Sequence, residues 1–254
     1  MNLTDKKHPL LFSLPYKIAS EDQRTILDYA YNKAESWSGQ VQVWNHQKSQ
    51  HEDTDYFGRV QIRRLSSSSQ QRLGTEYNLD WINWAGRLDA DQEWEWVDTP
   101  VTNLVQQYVN QVQHLYQRFH RVLLLVQRVG SEIPLHTDKV VKNTYNDGVF
   151  EPGPAQNLPL AINNTHWQHN RYLALKWPLT EIPGNNGSPI ININGNVYRY
   201  DVGQNCFAIN EVDMQHGASA VSHCRGVIFL DGILNYERLL QEPWLQVQLH
   251  PVKS

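Results

Sequence analysis

Two short stretches of the chain carry residue types that can ligate a metal. Pro134–Asp138 reads PLHTD and supplies His136 and Asp138, two residues apart at the end of an apolar run. Gln204–Gly232 reads QNCFAINEVDMQHGASAVSHCRGVIFLDG, which predicts two short strands joined by a turn, with His216 near the start of the first and Arg225 near the start of the second. Two neutral imidazoles and one carboxylate, divided between an HxD pair and a distant histidine, form the donor set used for non-haem Fe(II), with open positions for substrate and oxygen. The planar fork of an arginine matches a carboxylate bidentately, which lysine does less specifically. An arginine after the second histidine therefore suits a site that also holds a dicarboxylate such as 2-oxoglutarate. The expected chemistry is that of an Fe(II)/2-oxoglutarate oxygenase.

An HxD pair alone is weak evidence, and a second copy stands at His51-Glu52-Asp53. That copy lies in HQKSQHEDTDYF, read as a polar surface loop. His136 differs because VLLLVQRVGSEIPLH delivers it from a buried strand, where a ligand can be held rigidly. His216 and Arg225 are nine residues apart, enough for a strand, a turn and a return. His223 competes as third ligand but stands close to that turn, and His166 and His169 compete from a polar segment read as a lid. Two other readings stay open. A non-catalytic β-barrel binding module would be expected to have lost one of these four residues. A zinc hydrolase would need a general base beside the metal, for which Glu211 is the nearby carboxylate.

The 254-residue chain is long enough to bury one sizeable core, so a single domain is expected. Its net charge of -4 and scattered basic residues give no nucleic-acid or membrane-surface footprint. No apolar run approaches the roughly 20 residues of a spanning helix. Pro9 and Pro15 interrupt the N-terminal segment, which lacks a signal-peptide pattern, so a cytoplasmic location is expected. Cys206 and Cys224 are too few for a disulfide framework and read as free thiols inside strands.

The elements that would position the site follow from periodicity. Ser20 caps a helix predicted over Glu21–Trp37, and strands are predicted at Gln40–Trp44 and Phe57–Leu65. Ser66–Ser69 reads as an exposed loop. Thr99 and Pro100 open a second helix whose apolar face runs from Leu104 to Phe119 and packs on a sheet. From Arg121 onward short strands alternate with Gly, Pro and Asn, and PIININ and NVYRYDV flank an Asn194-Gly195 hairpin signal. Repeated short strands without intervening helices indicate a β sandwich or barrel. The fold class is α+β, mainly β, with residues 1–120 bracing a catalytic β core at 121–240. Lys139–Asn170, polar and rich in Pro, Gly and Asn, is long enough to be functional.

The order of HxD, then RYLALKWPL at Arg171–Leu179, then NEVDMQHGASAVSHCRGVIFLD is similar to the aspartyl/asparaginyl β-hydroxylase-like branch of the Fe(II)/2-oxoglutarate dioxygenases. The similarity covers roughly Val122 to Leu234. It implies a double-stranded β-helix, the jelly-roll or cupin-like barrel, with Fe(II) on His136, Asp138 and His216 and the distal carboxylate of 2-oxoglutarate on Arg225. It further implies consumption of 2-oxoglutarate and O2, with succinate and CO2 as products and hydroxylation of an unactivated C–H in an amino acid or a peptide or protein residue. Leu173 departs from the family's R-x-H strand pattern, so a polar co-substrate contact common in the family would have to come from elsewhere. The retained Asp138 argues against a halogenase. Arg171 would grip a substrate carboxylate if its strand face turns inward, or else pair with an acidic side chain at the strand end; Trp167 would stack on the substrate or close the lid, and Lys139 would stand near the mouth.

Overall fold

A computed structural model describes residues 10–35, 41–45, 50–54, 57–68, 93–130, 132–136, 173–179, 189–210, 214–220 and 223–252. In chain order the elements are β1 (Leu11–Lys17), α1 (Ser20–Glu35), β2 (Val41–Asn45), β3 (Gln50–Thr54), β4 (Phe57–Leu65), β5 (Trp94–Trp96) and α2 (Thr102–Val112). They continue as β6 (Tyr116–Gln127), β7 (Ile133–His136), β8 (Leu173–Pro178), β9 (Pro189–Ile193), β10 (Asn196–Asp201) and β11 (Asn205–Asn210). The last are β12 (His216–Ala218), β13 (Arg225–Leu234), α3 (Tyr236–Gln241) and β14 (Gln248–Pro251). The chain is mainly β, built of antiparallel sheets with few helices.

The strands form a large sheet of order β1-β11-β8-β13-β6-β4-β5 and a small sheet of order β14-β10-β9-β12-β7, with β2 and β3 as a separate hairpin. From β6 onward the chain alternates between them: β6 large, β7 small, β8 large, β9 and β10 small, β11 large, β12 small, β13 large. The β9–β10 step stays within one sheet because Asn194 and Gly195 both adopt positive φ, 53° and 86°, as a two-residue hairpin turn requires.

One face of the large sheet packs on the helices. Leu124 and Val126 of β6, Leu175 and Trp177 of β8 and Ile228 and Leu230 of β13 join Ile26, Leu27, Ala30 and Ala34 of α1 and Val105, Val109 and Val112 of α2 in one buried cluster. The period of two along each strand sends the intervening residues to the opposite face. There Phe207 and Ile209 of β11 meet Ile191 of β9 and Tyr200 of β10 in a second cluster between the sheets. Tyr200 and Phe207 touch edge-on, with ring centroids 6.0 Å apart.

Several sequence expectations need correction. The second helix starts at Thr102, because Pro100 and Val101 form a turn in which the Thr102 amide donates to the Thr99 carbonyl at 3.2 Å. It ends at Val112 in a short 3₁₀ turn, so Tyr116 and Phe119 belong to β6 instead of a helical face. Pairing with β13 holds that segment extended. HQKSQHEDTDYF is not a loop throughout: His51 and Asp53 lie in β3, paired with β2. Ser66 is buried, its amide donating to the Glu93 carbonyl at 2.9 Å. Cys206 is buried in β11, whereas Cys224 stands one residue before β13. The N-terminal segment, not expected to be a strand, supplies β1 at the edge of the large sheet. Pro15 is tolerated there because it falls in a register irregularity of an edge strand.

Part of the tryptophan content has a structural role. The Arg63 guanidinium lies 5.9, 5.7 and 4.9 Å from the ring centroids of Trp94, Trp96 and Phe119, and burial pushes it down to about 10. These rings brace the β4–β5 edge of the sheet. Trp81, Trp84 and the 139–170 segment lie outside the described residues. Among the described residues no helix is long and apolar enough to cross a membrane.

Because the helix-facing cluster carries most of the buried apolar surface, truncation there is costly. Ile228→Ala should lower stability by about 2–5 kcal/mol, measured from the denaturant midpoint. Val129→Ser, at a side chain 54% exposed, should stay within about 0.5 kcal/mol of wild type.

Candidate functional site

The small sheet brings the positions of two predicted ligands side by side. β12 pairs with β7 on one side and β9 on the other, with His216 opposite both His136 and Ile191. Ile191 is in turn opposite Tyr198 of β10. Register-opposed positions in antiparallel strands share one face of the sheet. Ile191 is fully buried in the inter-sheet cluster, so this row of positions lies on the face turned toward the large sheet.

His216 is partly buried, and its Nδ1 lies 3.2 Å from the Met214 carbonyl oxygen. A carbonyl can only accept, so Nδ1 carries the proton, and in the neutral ring Nε2 is the nitrogen that keeps its lone pair. Such an outer hydrogen bond fixes the ring and tautomer of a metal-binding imidazole. The strand beside it is irregular: from His216 to Ala218 the partner register moves from His136 to Ile133, so β7 carries one extra residue. Pro134 sits in this bulge on an edge strand, where its missing N–H costs no ladder hydrogen bond. Gly217 faces it. A Cβ at Gly217 would lie 2.5 Å from the Ile133 oxygen and 2.9 Å from the Pro134 oxygen. Only glycine lets β12 approach the bulge this closely.

Arg225 stands on the other sheet. On β13, Ile228 and Leu230 point to the helices, so Arg225, Val227 and Phe229 fall on the inter-sheet face. Arg225 opens the strand opposite Gln127, the last residue of β6, and its Nη1 donates to Gln127 Oε1 at 3.4 Å. Burial pushes the guanidinium down to about 10, while the Tyr200 hydroxyl, from the small sheet, works in the other direction. It stays charged at neutral pH. A desolvated cation with several donors is suited to capture an anion, since the low-dielectric surroundings strengthen each charge-assisted hydrogen bond.

The structure places the remaining candidates as follows. Asp138, Lys139, Trp167 and Arg171 lie outside the described residues, as do the competitors His166, His169 and Glu211. His223 is exposed. Among the described residues no group of three or more His, Cys, Asp and Glu comes together. On β8 the face bearing Leu175 and Trp177 is packed against the helices, so the alternate face, with Lys176, turns toward the small sheet. The Lys176 Nζ lies 5.0 Å from the Phe229 ring centroid on that side. Sequence reasoning missed Gln127 and Tyr200. Gln127 carried a signal, a lone polar residue in the apolar run VLLLVQ; Tyr200 carried none.

No family model matches the chain, and no curated protein matches it. Solved structures match at low identity. A prolyl hydroxylase from Trichoplax adhaerens, in complex with a hypoxia inducible factor oxygen degradation domain peptide fragment, is 11% identical, with 95% of this chain and 90% of that one covered and a TM-score of 0.46. A Pseudomonas putida prolyl-4-hydroxylase is 7% identical, with coverages of 89% and 92% and a TM-score of 0.41. A 2OG-Fe(II) oxygenase family protein from Burkholderia pseudomallei is 9% identical, with coverages of 81% and 80% and a TM-score of 0.36. At such identities, residue roles have to come from this chain's own residues.

The contact at Gly217 is open to a direct check. Gly217→Ala should cost about 1–3 kcal/mol through overpacking against the bulge, read from the urea midpoint. The β7 and β12 amides should exchange with solvent faster, while those of β6 and β13 stay protected.

Proposed function

We propose that this chain is an Fe(II)- and 2-oxoglutarate-dependent dioxygenase in which His136, Asp138 and His216 hold the metal and Arg225 holds the distal carboxylate of 2-oxoglutarate. The observation that carries this reading is the pairing of His216 directly opposite His136, on the face turned toward the sheet that bears Arg225. Asp138 follows His136 by two residues, so the carboxylate enters from the same segment. The donor set suits Fe(II): two imidazoles and one carboxylate leave a facial set of positions open. The Met214 carbonyl, by holding Nδ1–H of His216, would aim Nε2 at the metal.

With iron and 2-oxoglutarate bound, the site would couple oxidative decarboxylation to succinate and CO2 with insertion of one oxygen atom from O2 into a substrate C–H. The protein's own part is positioning. Arg225 would take the distal carboxylate bidentately, fixing how the 2-oxo acid end reaches the metal. Ile191, Phe207 and Tyr200 line the space between the sheets and would keep water from it. The alternation of β6 to β13 between two sheets supports a double-stranded β-helix, the jelly-roll arrangement.

The finer reading is a member of the aspartyl/asparaginyl β-hydroxylase-like branch, acting on an amino acid or an amino-acid residue of a peptide or protein. It rests on the sequence similarity over Val122–Leu234. Arg171, Trp167 and Lys139 would then contact substrate.

Anaerobic titration with Fe(II) and 2-oxoglutarate tests the reading. Wild type should develop the weak visible charge-transfer band of a chelated 2-oxo acid. His216→Ala should abolish it, and Arg225→Ala should require at least about tenfold more 2-oxoglutarate, the loss of roughly one charge-assisted hydrogen bond. Absence of the band in folded, iron-loaded wild type would refute the proposal and favour a binding module.

A further inference from the structure

Resting on that reading, we infer that Gln127 is a positioning residue that orients the Arg225 guanidinium for a dicarboxylate and ties it to the strand bearing His216. Gln127 is 4% exposed at the end of β6, and both ends of its amide are engaged. Its Nε2 donates to the Ser219 carbonyl at 3.2 Å, and its Oε1 accepts from Arg225 Nη1 at 3.4 Å. The two bonds define each other. A carbonyl cannot donate, so the nitrogen must face Ser219 and the oxygen must face Arg225.

Ser219 immediately follows β12, three residues after His216. One buried side chain on the large sheet therefore grips both the arginine beside it and the backbone of the small sheet next to a predicted ligand. Among the described residues no ladder joins the two sheets, so this side chain supplies a polar bridge between them. A buried amide is costly unless satisfied, which makes its two partners hard to displace.

The residue type also matters. Glutamate would fit the same space and accept the same hydrogen bond, but it would neutralise Arg225 and compete with the incoming carboxylate. Glutamine is a neutral acceptor. It occupies part of the guanidinium's donor set, fixes the plane of the fork, and leaves the positive charge for the ligand. In this way it sets selectivity for 2-oxo acids that carry a second carboxylate.

The experiment compares wild type with Gln127→Leu and Gln127→Glu, each loaded anaerobically with Fe(II) and titrated with 2-oxoglutarate and, separately, with 2-oxobutanoate, which lacks the distal carboxylate. The charge-transfer band reports binding, and thermal unfolding reports folding. Gln127→Leu should weaken 2-oxoglutarate about 10–100-fold, the usual effect of losing a residue that orients a ligand-binding group. Gln127→Glu should weaken it further, and in both variants 2-oxobutanoate should change much less. The preference for the dicarboxylate then collapses, which a merely structural role would not produce, since both acids would weaken together. In an Arg225→Ala background the same changes should have no added effect on preference. If the carboxylate prevents folding, Gln127→Asn keeps the buried amide but withdraws it by one methylene and carries the same comparison. Unchanged preference in folded variants overturns the inference while leaving the oxygenase reading intact. Absence of the band in wild type removes the oxygenase reading itself, and the role of Gln127 falls with it.

Discussion

The large sheet is covered on both faces, by helices on one and by the small sheet on the other, and this double burial determines where chemistry can sit. Every strand crossing that sheet divides its residues between two environments, because successive side chains point to opposite sides. Leu124, Val126, Leu175, Trp177, Ile228 and Leu230 go to the helices and form the larger apolar cluster. Arg225, Gln127 and Lys176 fall on the other face, along with Phe207. The division leaves no latitude in register. At the next position along β13, Gly226, an added Cβ would already come within 2.9 Å of both the Leu125 oxygen and the Leu27 Cδ1. A slip of one residue would drive Arg225 into that crowded helix side and turn Gly226 toward the small sheet.

Having one wholly apolar face lets the other be mixed. Desolvating a guanidinium is unfavourable, which lowers the Arg225 pKa, and such a group is retained only where partners offset the loss of water. Gln127 supplies one. The helix-side cluster, with α1 and α2 packed across β6, β8 and β13, provides the stability against which this polar region is maintained.

The small sheet solves a different problem, which is to bring two strands close enough for His136 and His216 to stand opposite each other. A regular ladder would carry that register unbroken from one residue pair to the next. Instead β7 takes an extra residue at Pro134, and Gly217 gives way to the displaced carbonyls. Bulges of this kind redirect the residues that follow them. Here the residue that follows is His136, with Asp138 two positions further on.

By itself the sequence determined many of the local elements and supplied the short list of candidate site residues. Period-two runs marked β4 and β8, a continuous apolar run marked the second half of β6, the Asn194-Gly195 pair marked the β9–β10 hairpin, and apolar spacing marked α1 and the body of α2. The HxD pair, the later histidine and the arginine after it were legible because metal and carboxylate chemistry demand particular residue types in a particular order. Only the tertiary structure decided which face of each strand turned toward the other sheet, since alternation is symmetric until something covers one side. It also decided that Leu11–Lys17 is a strand and that Tyr116 and Phe119 leave the helical pattern, because their partners are distant in sequence. The place of Gln127 between Arg225 and Ser219 was decided there too. Its hydrogen bonds join residues about ninety or more positions apart, and no local pattern encodes such a meeting.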